Sequence, residues 1–236
     1  MHVSRRHLLA LCTASSLLLA HPLTHAASAA RRLSTPNTPL DIPSNIAQFA
    51  QNVVVNNNAE GRTFGVLDKP TGLLWVFNPQ GTLLDRSTVL VGQASGDVEP
   101  PDIGSRPLSA VKPHEKVTPA GRFVTEPGKN HKGDDIVWLN YASALSMHRV
   151  RNVPGENRLD RLASTKPGAG RISFGCVNVP ETFFDRVVAP YFRQQSGVMY
   201  ILPEELPLQQ VFPFASAFQP GSNLPTRKLS TSEYTQ

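Results

Sequence analysis

Cysteine is almost missing from this chain: 236 residues hold two, Cys12 and Cys176. Aromatic residues are scarce too, at 7%, while 21 prolines and 16 glycines are spread throughout. Two cysteines cannot make a disulfide framework. The shortage of aromatics and the wealth of turn formers fit a loop-rich β protein better than a helical bundle. Neither sign of charge dominates, with 23 basic and 18 acidic residues, which argues against a nucleic-acid binder. The one long apolar stretch, "LLALCTASSLLLA" at residues 8–20, is too short to span a bilayer comfortably.

That stretch has another reading. "MHVSRRH" is a basic start without acids, and "HAASAA" offers small-residue cleavage sites after Ala26 or Ala29. Together they form a secretory signal over residues 1–29, which implies export to the periplasm and a mature chain that does not span the membrane. "SRRHLL" also resembles a twin-arginine signal, so the general and twin-arginine routes both stay open. Loss of the leader takes away two arginines and no acids, leaving 21 basic residues against 18 acidic ones. It also removes four of the seven histidines, leaving His114, His131 and His148, and leaves Cys176 as the single thiol. In an oxidising compartment such a thiol is either buried and inert or a reactive group.

Along the mature chain, residues 30–60 read as a linker with a short amphipathic helix, in which Ile46, Phe49 and Val53 share one face. Strand patterns then follow closely: "RTFGVLD", "GLLWVFN", "TLLDRSTVLVG", "GRFV", "DDIVWLN", "ALSMHRV", "RISFGCVNV" and "GVMYILP". Short helices are expected at "NRLDRLA" and at "PETFFDRVVAPYF", which opens on Pro180. This predicts a mostly-β domain with short helices over 61–204, followed by a flexible tail over 205–236.

A catalytic thiol needs a base or cation beside it, because a free thiol with a pKa of about 8.5 is only slightly ionised near neutral pH. Of the three histidines, His114 and His131 stand in lysine-crowded loops. His148 ends an alternating strand, where Ser146 and His148 point to one face and Leu145 and Met147 to the other. His148 is therefore the best-placed base. A small buried hydrophobe at Cys176 and a surface histidine at His148 are the plain alternative. The spacing has no paired-ligand motif for zinc, so no metal and no cofactor is expected.

The segments "FGVLDKPTGLLWVFNPQGTLL", "TPAGRF", "DIVWLNY", "ALSMHRV" and "RISFGCVNVP" fall in an order that resembles the YkuD-type L,D-transpeptidases, over roughly residues 60–203. The resemblance implies a β-sandwich-like catalytic domain in which Cys176 attacks peptidoglycan stem peptides as nucleophile. It makes His148 the general base, oriented by the main-chain carbonyl of Arg149. Backbone N–H groups around Gly175 and Cys176 would form the oxyanion hole, with Ser173 beside them, and Asn178 would orient the loop or the substrate. Two departures stand out. Phe174 occupies a position where the family usually has histidine. The stretch between His148 and Cys176 is also longer, and it carries Arg149, Arg151, Arg158, Arg161, Lys166 and Arg171. Of these, Arg171 is the expected grip on a substrate carboxylate. Donor and acceptor would both be stem peptides, joined in a 3→3 or a 1→3 cross-link. An L,D-carboxypeptidase or endopeptidase of the same fold, or a non-catalytic peptidoglycan-binding module, are the alternatives.

Overall fold

A computed structural model describes residues 42–215. The leader, the first part of the linker and the last part of the tail lie outside the described residues. Most of the regular structure is strand, with a few short helices.

Five strands make the first sheet: β1 (Phe64–Asp68), β2 (Leu73–Phe77), β3 (Leu83–Thr88), β5 (Gly121–Val124) and β11 (Val198–Ile201), in the order β3-β2-β1-β11-β5. Its first and last strands along the chain, β1 and β11, pair in parallel, Phe64 opposite Val198 and Leu67 opposite Ile201. Four strands make the second sheet: β6 (Glu126–Lys129), β7 (Asp135–Asn140), β8 (Leu145–Arg149) and β10 (Val177–Val179), in the order β10-β8-β7-β6. A short parallel pair, β4 (Val91–Gly92) with β9 (Arg171–Ser173), links them.

Alternation decides which side chains go where. Leu67, Leu74, Val76, Met199 and Ile201 of the first sheet pack against Val137, Leu139, Met147, Val177 and Val179 of the second. The opposite face of the first sheet, built by Phe64, Val66, Trp75, Phe77, Val198 and Tyr200, is covered as well. There it meets α1 (Ser44–Val55), through Ile46, Phe49, Ala50 and Val53, together with Phe212 and Ala215 beyond β11. Edge-on aromatic pairs such as Phe49–Tyr200 and Phe49–Phe212 fill this layer.

The packed domain is therefore wider than 61–204. α1 belongs to the core rather than to a linker, and the chain stays packed to Ala215 through α4 (Leu208–Val211). The central sheet is apolar on both faces, so it needs a second cover, and segments on both sides of 61–204 supply it. Two strand expectations also change. "TLLDRSTVLVG" divides: β3 ends at Thr88, and Leu90 crosses to bridge Asn178 near the second sheet. β6, "EPGK", carries no apolar alternation, and its Pro127 sits on the outermost strand of the sheet, where a missing N–H is tolerated. The helix expected at "PETFFDRVVAPYF" is one short turn, α3 (Glu181–Phe183), running on as a wider π-helical stretch over Phe184–Gln194 that accommodates Pro190.

A buried ionic cluster anchors the loops that flank β9. Lys69, 1% exposed, donates to Asp97 (2.6 Å), to the Gly96 carbonyl and to the Thr118 carbonyl. The Asp97 carboxylate also accepts from the N–H groups of Glu204, Glu205 and Leu206, at 2.7–2.9 Å. Burial alone would raise the Asp97 pKa. Lys69 and those three N–H groups outweigh it and hold the carboxyl at about 2.

Candidate active site around Cys176

β9 and β10 are separated by a tight turn, Phe174-Gly175-Cys176. Gly175 has φ +133°, and a Cβ there would lie 2.7 Å from the Val117 carbonyl oxygen, so only glycine fits. The turn is held from both sides. Thr118 Oγ1 donates to the Gly175 carbonyl at 2.6 Å and accepts from the Gly92 N–H at 2.8 Å. Ser173 Oγ donates to the Cys176 carbonyl at 2.7 Å and accepts from the Gly175 N–H at 3.1 Å. The Gly175 N–H is thus occupied by Ser173 in this state, and Ser173 acts as a brace for the turn.

β10 leaves this turn in parallel beside β8, with Val177 opposite Met147 and Asn178 opposite His148. By this register Cys176 falls beside Ser146. Period-two alternation then puts Ser146, His148, Cys176 and Asn178 on one face of the strand pair. Ser146 Oγ donates to Cys176 Sγ at 3.5 Å, and the thiol in turn donates to the Ala144 carbonyl at 3.5 Å. His148 Nδ1 lies 2.7 Å from the Arg149 carbonyl oxygen, and its Nε2 lies 3.3 Å from Asn178 Nδ2. Among the described residues no hydrogen bond joins Sγ to the imidazole: the two groups are diagonal neighbours, each with its own partners.

Burial depresses the His148 pKa below the usual histidine value, and the cations Arg151 and Arg158 depress it further. The Arg149 carbonyl and Asp134 oppose this. A neutral ring is what a proton acceptor requires; here its Nε2 faces the Asn178 amide.

Two hollows open on the pair. Cys176 borders a small one of about 70 Å³ with Phe174, Val117, Ala144 and the loop residues Ile103, Leu108 and Val111. Its walls are largely apolar. Glu99 also faces it, and burial raises that carboxyl above its usual pKa. Phe174 carries Lys116 Nζ over its ring at 3.8 Å. His148 borders a larger cavity of about 410 Å³, walled by charged groups that include Asp134, Arg151, Glu181 and Asp185.

The remaining expected residues fall as follows. Arg149 contributes its carbonyl to His148, while its guanidinium pairs with Asp185 and covers the Phe184 ring. Asn178 is fully buried and bonded at both ends of its amide: Nδ2 donates to the Cys176 carbonyl at 3.1 Å, and Oδ1 accepts from Arg158 at 2.7 Å. Arg171 lies apart from the pair: its guanidinium pairs with Glu204 and bonds the Ala94 carbonyl, and it borders neither hollow. Glu204, well outside the site motif, claims it first. Ser146, Thr118 and Arg158 were not singled out by the sequence as site residues. Ser146 could have been found, since it shares its strand face with His148; Thr118 and Arg158 depend on distant packing.

No family model and no curated protein matches this chain. Among the solved structures that align with it are L,D-transpeptidases. One, from Xylanimonas cellulosilytica, is 13% identical, with 60% of each chain aligned and a TM-score of 0.36. One from Mycobacterium smegmatis is 14% identical over 59% of this chain and 58% of that chain, with a TM-score of 0.32. The helical cell shape determining protein Pgp2 of Campylobacter jejuni is 12% identical over 74% of this chain and 62% of its own, with a TM-score of 0.35. The chain thus spans about three-fifths of the length of these proteins. Likeness at this level assigns no residue roles. Among the described residues no helix is long and apolar enough to cross a membrane.

Proposed function

We propose that this chain is an exported, periplasmic L,D-transpeptidase that holds a peptidoglycan stem peptide as a thioester on Cys176. The observation that carries the reading is the shared face of β8 and β10, with an accessible thiol, a half-buried imidazole one same-face step along the neighbouring strand, and a hydroxyl on the sulfur. The sequence resemblance around "ALSMHRV" and "RISFGCVNVP" supports it.

In this mechanism the Cys176 side chain turns from the Ala144 carbonyl towards His148 Nε2, which takes the thiol proton. The thiolate attacks an L-centre carbonyl of the donor stem, and the resulting oxyanion is met by the Cys176 N–H at the turn. Its collapse expels the next residue as an amine, which receives the proton from His148. A second stem then supplies an amine that gives His148 its proton and displaces the thioester, restoring the thiol. The small apolar hollow beside Cys176 suits an alanine-sized donor side chain, which favours the 1→3 product over the 3→3 one. The larger charged cavity on the His148 side suits a zwitterionic acceptor.

Incubation with purified disaccharide-peptides, read by mass, tests this: dimers with the wild type and none with Cys176→Ala are expected. Shortened monomers without dimers would replace the transferase by a carboxypeptidase or endopeptidase. Neither product, together with a thiol inert to iodoacetamide, would leave a peptidoglycan-binding module. The absence of a direct thiol–imidazole bond is the observation on that side.

A further inference from the structure

In the long stretch between His148 and Cys176, Arg151 borders the His148 cavity and Arg158 reaches the buried Asn178 amide. Arg158 opens α2 (Arg158–Ala163) and is 8% exposed, although it is a guanidinium. One of its terminal N–H groups bonds Asn178 Oδ1 at 2.7 Å, and its Nε pairs with Glu156. Arg161 fastens the same stretch to itself, through the carbonyls of Glu156 and Ala169. The stretch is therefore a built support that delivers one buried cation to one amide.

We propose that Arg158 is a positioning residue: by donating to Asn178 Oδ1 it fixes which way the Asn178 amide faces and, together with the Arg149 carbonyl at Nδ1, keeps Nε2 of His148 unprotonated.

The argument follows hydrogen-bond polarity. A guanidinium only donates, so the Asn178 atom facing it is the oxygen. The amide N–H₂ then points the other way, to the Cys176 carbonyl and to His148 Nε2. A donor facing Nε2 requires a lone pair there, which leaves the ring proton on Nδ1, where the Arg149 carbonyl accepts it at 2.7 Å. The Cys176 carbonyl accepts from both Ser173 Oγ, at 2.7 Å, and the amide, at 3.1 Å, and so shares the task with Arg158. Without Arg158 the amide keeps that carbonyl as its one anchor and turns over more readily. Its oxygen would then face Nε2 and favour a proton there beside the one that the Arg149 carbonyl keeps on Nδ1, which is the imidazolium, the wrong state for accepting a proton from a thiol.

The charged groups facing the ring come from several elements: Asp134 and Asp135 at the start of β7, Arg151 after β8, Glu181 and Asp185 from α3 and its continuation, and Arg158 itself. Replacing Arg158 by a neutral residue removes one of the cations that keep the imidazole uncharged, so both effects act in one direction.

The catalytic meaning rests on reading His148 as the base for Cys176; the tautomer does not, and the experiment separates the two. The full chain is labelled with ¹⁵N-histidine, and the ring shifts of His148, assigned by its loss in His148→Gln, are followed against pH. In parallel, the alkylation rate of Cys176 by iodoacetamide is measured over the same range. Wild type should hold the neutral Nδ1–H form towards the acid end of the range. Arg158→Met should pass to the doubly protonated ring at higher pH, with the acid limb of the alkylation profile moved up by roughly one pH unit and the rate near neutral pH down about tenfold. Lost charge alone moves the limb with or without the amide, so Asn178→Leu and the double variant are measured too: action through the amide requires Arg158→Met to move the limb far less in the Asn178→Leu background. Arg158→Gln takes the place of Arg158→Met in the same cycle should that variant not fold. Equal shifts in the two backgrounds, or no shift in folded protein, overturn the proposal. Absence of disaccharide-peptide dimers with the wild type, with the ring behaving as described, would instead remove the transpeptidase reading alone.

Discussion

Ser146 Oγ points at Cys176 Sγ from the neighbouring strand, 3.5 Å away, and is the one side chain among the described residues that donates to the sulfur. The bond holds the sulfur on the face it shares with His148. Ser146→Ala should therefore slow alkylation of Cys176 near neutral pH by about fivefold to tenfold, the equivalent of one hydrogen bond of ~1 kcal/mol. The fold should be kept, because a methyl group fits the same buried place. Stopped-flow alkylation of folded protein checks this, and an unchanged rate would remove Ser146 from the site.

His148 should make its own signature in the pH profile. Its pKa is depressed, chiefly by burial, so the ring stays neutral below the pH at which a free histidine takes up a proton. Wild-type reactivity should accordingly persist below pH 6.5, and His148→Gln should flatten that limb and cut transfer to stem peptides by about 10² or more. The same shift bears on stability. Below the unfolded pKa of about 6.5 the unfolded chain gains a proton that the folded ring refuses. Stability should fall as pH drops from there towards the folded value, and His148→Gln should remove this part of the loss. Urea titrations at pH 7 and 5 read it.

Gly175→Ala should damage the turn that carries Cys176. The added Cβ meets a carbonyl oxygen at 2.7 Å, and the backbone is at φ +133°. Both costs apply at once, so a loss of about 2–4 kcal/mol is expected by chemical denaturation. Thiol reactivity should fall in the fraction that still folds, since the strand register behind Cys176 is set by this turn.

The cluster around Asp97 makes a different, acid-side prediction. Its folded pKa of about 2 lies below the unfolded value, so its contribution is complete above about pH 4 and disappears as pH falls towards 2. Asp97→Asn leaves Lys69 with only the more distant Glu204 carboxylate, at 3.6 Å, and should cost about 2–3 kcal/mol at neutral pH. Thermal melts of the variant and the wild type across pH 2–7 should converge at the acid end.

Arg171 and Arg158 show what a sequence can and cannot tell about a site. Both are arginines in one basic stretch, and proximity to Cys176 favoured Arg171. Its partner, Glu204, lies 33 residues on, and the pairing depends on the cluster around Asp97. Arg158 is farther along the chain from the thiol, yet it is the one that reaches Asn178, because α2 folds back over β10. Charge says that a side chain seeks a partner and leaves open which one. Cys176 and His148 were legible for a stronger reason: alternation is local, and it puts Ser146 and His148 on one face whatever the rest does. The same local rule read β7, β8 and β11 and missed β6, whose "EPGK" has no apolar alternation to read. The cover supplied by Phe212 and Ala215 was hidden too, since a few buried residues in a Pro-rich segment leave no periodic trace.

The parallel contact of β1 with β11 has a consequence for how this molecule comes into being. More than 130 residues separate the two partners, Phe64 and Val198, and the central sheet has no middle until the later one is made. A chain cut anywhere before Val198 lacks the strand that pairs with β1, and with it part of the apolar layer on which β8 and β10 pack. Ordered placement of residues 148 and 176 should therefore require the chain through Val198.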